Sequence, residues 1–252
     1  MEKNKKSSWI RKVLIGLAVL TVIAAGAFFW YVNDYYQAAT SAVEALQSGG
    51  SVTITETDDA ITFAPNGEDP EEGIIFYPGG KVEAEAYAPL LRSLAEADLL
   101  VVVAKMPFHL AVFDANAAET IMEQEDSVQD WYLAGHSLGG VMASSFAADQ
   151  SDEVAGLIFL ASYPSSDLTE APFPVLSIYG SEDEVLNRES YDEAQGKLPE
   201  AYTEIVLDGG NHGQFGDYGT QSGDGTATIS TAQQQQLTVE AITSFIEKNR
   251  QQ

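Results

Sequence analysis

Trp131-Tyr132-Leu133-Ala134-Gly135-His136-Ser137-Leu138-Gly139-Gly140 reads as a strand that turns directly into a helix. The apolar residues 131–134 suit a short buried strand, and Val141, Met142, Ser145 and Phe146 then fall on one helical face. This is the pattern G-x-S-x-G with a strand before it and a helix after it. So abrupt a bend holds the central serine at strained φ/ψ, and side chains two positions to either side would collide across it. Gly135 and Gly139 remove those Cβ atoms. The amides that open the helix point at the serine, so the N–H of Leu138 is placed to donate to an oxyanion formed when Ser137 attacks a carbonyl. The five-residue pattern alone occurs by chance in many proteins. Its setting here makes Ser137 a candidate nucleophile.

Working outward, other short apolar runs bounded by turn residues lie at 73–77, 99–104, 154–160, 175–179 and 205–207, with helical patterns between them. Short buried strands alternating with helices predict a mostly parallel sheet covered on both faces. Alternation at 51–55 and 60–64 around Asp58-Asp59 predicts a β-hairpin ahead of it. No internal repeat is visible. The glutamines at 233–236 sit at the start of the last helical pattern, behind Ser230 or Thr231 as N-cap, and read as surface.

The chain has 252 residues, which one α/β domain can fill. It has no cysteine, which excludes disulfides, a thiolate nucleophile, a cysteine-ligated zinc and a lipid-modified cysteine. No cluster of ligands suggests a metal, and none of the chemistry calls for an organic cofactor. Of 12 Lys and Arg, five lie in residues 1–12, against one of the 38 acids. The remainder carries a net charge of about −30, which disfavours DNA, RNA and anionic lipid heads as partners and suits solubility in a salty or crowded exterior.

Residues 13–32 contain no charge and are long enough as a helix to cross a bilayer, making the bilayer itself a partner. With the basic residues before this span, the positive-inside rule places residues 1–12 in the cytoplasm and everything after it outside. Phe28, Phe29, Trp30 and Tyr31 then lie near the outer interface. The competing reading is a secretory signal cleaved at Ala25-Gly26-Ala27, and either reading exports the domain. Residues 33–50 are expected to form a stalk or packing helix, with Tyr35, Ala38, Ala39, Ala42, Val43 and Leu46 at helical spacing before Ser48-Gly49-Gly50. Residues 51–252 form the expected domain.

From about residue 73 to 246 the chain resembles a small α/β-hydrolase of the dienelactone-hydrolase-like kind. The resemblance implies the chain order nucleophile, acid, histidine, with the last two on loops after later strands. Of three histidines, His109 precedes the serine, and His136 is the variable elbow residue whose side chain turns away from the Ser137 hydroxyl. That leaves His212, in Asp208-Gly209-Gly210-Asn211-His212-Gly213, as the general base. The turn Gly180-Ser181-Glu182-Asp183 resembles the family's glycine-x-x-aspartate loop and implies Asp183 as the acid, with Glu182 its nearest rival. A second oxyanion donor is implied at Gly80 in Tyr77-Pro78-Gly79-Gly80-Lys81, where Pro78 replaces the histidine of many relatives. Lys81, His136 and Phe108 are candidate walls of the substrate pocket. With only residues 161–173 or so between two of the strands, no cap domain fits and an open site is expected. The resemblance thus implies a serine hydrolase that cleaves a carboxylic ester of a small acyl substrate, without cofactor or metal. An acyltransferase using the same residues and a non-catalytic binding module on the same fold are the alternatives.

Overall fold

The computed structural model describes residues 3–67, 70–125 and 127–250, which divide into two units between Tyr35 and Tyr36. The first is a single helix, α1 (Lys3–Asn33), whose stretch Trp9–Asn33 is long and apolar enough to cross a membrane. Its apolar side chains face outward: Leu14, Val22 and Trp30 are each at least 60% exposed. A helix that is apolar all round has no polar face to offer water.

The second unit is built on one eight-stranded sheet. Its strands are β1 (Val52–Glu56), β2 (Ala60–Pro65), β3 (Glu72–Tyr77), β4 (Leu100–Ala104), β5 (Asp130–His136), β6 (Gly156–Leu160), β7 (Val175–Gly180) and β8 (Tyr202–Leu207). Their order across the sheet is β1-β2-β4-β3-β5-β6-β7-β8. β1 pairs antiparallel with β2, and β2 with β4. All pairings from β4 through β8 are parallel.

The two-residue side-chain period of a strand sorts the core into two halves. Ile74, Phe76, Tyr132, Ala134, Ile158 and Leu160 face one way, packing with Leu90, Leu91 and Leu94 of α3 (Ala88–Ala95) and Ile242 and Ile246 of α7 (Thr231–Arg250). Ile75, Tyr77, Leu133, Leu157 and Phe159 face the other way. Their partners include Ile121 of α4 (Ala117–Gln124) and Ala143, Phe146 and Ala147 of α5 (Leu138–Asp149). Both faces are covered, which is why these strands read as unbroken apolar runs. β8 is the exception. It lies at the sheet edge, and exposed Thr203 and Glu204 interrupt its pattern, so only 205–207 was visible as a strand.

Two expectations are corrected. Helical spacing over 35–46 yields only the short α2 (Thr40–Ala45), because the backbone at Tyr36 is extended and bridges Val82. Tertiary pairing there overrides local periodicity. The glutamine run is only partly surface. Ser230 Oγ accepts from the Gln233 amide, as a cap should, but Gln234 is fully buried and Gln235 nearly so, while Gln233 and Gln236 are exposed. Residues 161–174 join β6 to β7 without helix or strand, so no cap domain is inserted there.

Because Phe159 is fully buried in the middle of one core half, Phe159→Ala should cost about 3–5 kcal/mol of stability. Chemical denaturation of the two proteins checks this.

Candidate active site

The parallel strands end on one edge of the sheet, and the predicted residues gather there. Ser137 joins β5 to α5 at φ 50°, ψ −123°, a left-handed conformation that strains a residue with a Cβ. The surroundings enforce it. Ser137 N–H donates to Leu160 O (3.0 Å), and Ser137 O accepts from Ser162 Oγ (2.6 Å) and from the amides of Gly140 and Val141. The glycines are required as expected: a Cβ at Gly135 would sit 2.4 Å from Gly140 N, and one at Gly139 would sit 2.1 Å from Tyr77 O.

His212 follows β8 on a loop and is buried. Its Nδ1 lies 2.9 Å from Asp183 Oδ2, on the loop after β7. Asp183 also accepts from the amides of Val185 (2.9 Å) and Leu186 (2.7 Å), while Glu182 lies against the Ser181 hydroxyl instead. The structure thus pairs Asp183, not Glu182, with the histidine. With Oδ1 of Asp183 accepting from the two amides and Oδ2 facing Nδ1, the tautomer with its hydrogen on Nδ1 makes this contact a hydrogen bond and leaves a lone pair on Nε2. Nε2 is buried without a hydrogen-bond partner among the described residues. Ser137 and His212 share the wall of a cavity of about 220 Å³ with Leu138, Val141, Tyr163 and Leu186, and no hydrogen bond joins the serine hydroxyl to the ring. A larger cavity of about 850 Å³ lies at the opposite ends of the strands, near Glu72, Asp130 and Tyr202, away from these groups.

Gly80 packs directly on Leu138, where a Cβ would come within 2.9 Å of Leu138 Cδ2. Neither amide is engaged by another acceptor among the described residues, so both remain available to a ligand oxygen. Lys81 and Phe108 are not among the residues that line the small cavity. Nor is His136, which is a correction with a simple cause: as the last residue of β5 it points to the interior, 1% exposed. Its ring lies 4.6 Å from that of His212, and its Nδ1 is 2.8 Å from Tyr87 Oη. Tyr87 Oη accepts from the Gly79 amide at 2.9 Å, so its own proton goes to His136 Nδ1. Burial, then the neighbouring His212, hold the His136 pKa well below its ordinary value.

Sequence reasoning missed three side chains that hold this arrangement. Asp224 accepts from the amides of His212 (3.3 Å) and Gly213 (2.8 Å). Gln234 clamps Asn211 from both sides, accepting from its amide (3.0 Å) and donating to its carbonyl (2.7 Å). Ser162 pins the strained serine. In so acidic a chain nothing marks Asp224, and Gln234 is hidden in a run of four glutamines whose two middle residues face inward.

The depressed pKa of His136 has a consequence for stability. The folded chain keeps this ring neutral, whereas the unfolded chain protonates it below about pH 6.5, so stability falls as pH falls through that value, by up to about 1.4 kcal/mol per pH unit. His136→Gln removes this contribution. The melting temperatures of the two proteins should therefore converge between pH 7 and pH 5, and a constant gap would contradict the assignment.

Residues 73–236 match the model of the alpha/beta hydrolase family. No curated protein matches the sequence. Among solved structures, Est1E from Butyrivibrio proteoclasticus is similar at TM-score 0.59 and 17% identity, covering 81% of this chain and 100% of its own. A predicted CIB-like hydrolase from Thermoplasma acidophilum is similar at 0.56 and 14%, over 75% and 97%. A bacterial membrane phospholipase A is similar at 0.59 and 14%, over 95% and 99%. At such identities these likenesses speak for the fold. The match to the family model over residues 73–236 shows that this chain belongs to the α/β-hydrolase family.

Proposed function

We propose that this chain is a membrane-anchored serine hydrolase that cleaves a carboxylic ester, with Ser137 as nucleophile, His212 as general base and Asp183 as its orienting acid. The observation that carries the reading is the buried Asp183–His212 pair, with His212 and Ser137 on the wall of one cavity and Nε2 without a hydrogen-bond partner among the described residues. In this mechanism the Ser137 hydroxyl turns to Nε2 of His212 within the cavity that the two residues share. His212 takes the proton as Oγ attacks the acyl carbonyl, and the amides of Gly80 and Leu138 hold the oxyanion. The imidazolium, stabilised by Asp183, returns the proton to the leaving alcohol as the C–O bond breaks. Water then enters by the same route and releases the acid. No step requires a metal or an organic cofactor.

The compared structures support ester chemistry without defining the substrate here: Est1E is known with ferulic acid bound, and another similar structure is a phospholipase. The small cavity and the absence of an inserted cap between β6 and β7 favour a short or protruding acyl group. Residues 9–33 serve in this reading as an uncleaved anchor, with the basic N-terminus in the cytoplasm and the hydrolase unit outside.

A fluorophosphonate probe should label the protein at Ser137, and Ser137→Ala should not label. A binding module would label in neither form, and transfer to an added alcohol in preference to water would reassign the reaction. Asp183→Asn should lower kcat on a soluble short-chain ester by about 10³–10⁴-fold. Gln234→Ala, which frees the histidine loop, should lower it by roughly 10–100-fold.

A further inference from the structure

The first residue of the second unit is sewn onto the loop that carries Gly80. Tyr36 N–H donates to Lys81 O (2.7 Å), and Tyr36 O accepts from the Glu83 amide (3.0 Å). The next residues continue the seam: the amide of Ala38 donates to Glu83 Oε2 (2.7 Å), and that of Ala39 to Asp217 O (2.8 Å), just beyond the histidine loop. Tyr36 Oη accepts from the Ser222 amide (3.0 Å), and its ring packs on Tyr218. Both sides of the catalytic mouth are therefore tied to Tyr36.

The apolar helix ends at Asn33. Whatever the angle between the two units, the chain from Asn33 to Tyr36 reaches at most about 11 Å. If α1 crosses a bilayer, Tyr36 lies within that reach of the end of the helix, and the Gly80 loop is the next segment bonded to it.

The neighbouring loop has the surface for such a position. Phe108 (47% exposed), Val112 (49%) and Phe113 (51%) lie together after β4, with the two phenyl rings 5.5 Å apart. Only two other large apolar residues of this unit, Val43 and Val206, are so exposed among the described residues. Phe108 holds a left-handed φ of 56°, and the Lys81 amide donates to His109 O (2.7 Å), which joins this loop to that of Gly80. Three exposed apolar side chains beside a site form a patch that water disfavours and a lipid interface accepts.

We propose that the loop bearing Phe108, Val112 and Phe113 seats in the outer surface of the bilayer that holds α1, so that the site acts on esters carried by membrane-borne amphiphiles. This rests on the anchor and hydrolase readings above. The cavity of about 220 Å³ limits the acyl part to a short group displayed at headgroup level, because a long tail would not fit.

The absence of native cysteine allows a direct test on the full chain in phosphatidylcholine vesicles. Nitroxide labels are placed at Val112→Cys, at Glu200→Cys on the opposite edge of the sheet, and at Val19→Cys within α1. The labels at 112 and 19 should be relaxed more by oxygen than by an aqueous nickel chelate, and that at 200 the reverse. A label at 112 as aqueous as that at 200 overturns the proposal, and an aqueous label at 19 overturns it through its anchor. A second measurement inserts ten Gly and Ser residues between Asp34 and Tyr35. Hydrolysis of a short-acyl amphiphile in vesicles should fall roughly tenfold, with turnover of a soluble short ester unchanged. An unchanged vesicle rate overturns the substrate assignment. The lipid-exposed label at 112 with neither ester turned over and no phosphonate labelling would retain the membrane seat and remove the hydrolase.

Discussion

A serine at φ 50°, ψ −123° is costly by one or more kcal/mol, and residue 137 stays there because its neighbours leave it no alternative. Its amide is held by Leu160 and its carbonyl by Ser162, whose own approach depends on Ala161 also adopting a positive φ of 48°. The glycines at 135 and 139 let backbone meet backbone where any side chain would intrude. The result is a hydroxyl lifted off the end of β5, beside the unengaged first amide of α5. Everything else in the site is arranged around that fixed point.

The histidine loop is fixed by polar groups as well as by the packing of Phe215. Asp183 satisfies two amides of its own turn and orients His212 at the same time, so one carboxylate fixes both loops. A second ring, that of His136, lies against His212, and two charged imidazoles at this separation would repel in a buried setting. Tyr87 resolves the conflict. By receiving the Gly79 amide and donating to His136, its hydroxyl keeps that ring neutral and links the Gly80 loop to the histidines. Burial raises the Tyr87 pKa far above its ordinary value, so the phenol remains a donor.

Much of this was legible in the chain itself. The five strands β3 to β7 were visible because parallel strands covered on both faces are apolar without interruption, β1 and β2 by their alternation, and β8 only by its last three residues. The serine was visible because its bend demands glycine at fixed offsets. The acid and histidine followed from a resemblance, and the structure chose Asp183 over Glu182 by a contact that no spacing reveals. What escaped notice acts across long separations: Gln234 on Asn211, Asp224 on His212 and Ser162 on Ser137. His136 was misjudged as pocket wall because a residue beside the nucleophile invites that reading, whereas the alternation of β5 sends it inward. The stalk or packing helix expected over 33–50 is shortened to Thr40–Ala45 for a related reason, since pairing with residues near 82 outweighs helical periodicity at Tyr36.

The central claim is that one oxygen of a reacting acyl group sits between two backbone amides while His212 faces the serine. A crystal structure of the phosphonate adduct at Ser137 tests it most directly. The account predicts the phosphoryl oxygen about 3 Å from the amides of both Gly80 and Leu138, with His212 Nε2 within hydrogen-bond reach of the Ser137 oxygen. A phosphoryl oxygen turned away from Gly80 and Leu138, or a His212 ring that remains out of reach of that serine, would contradict it.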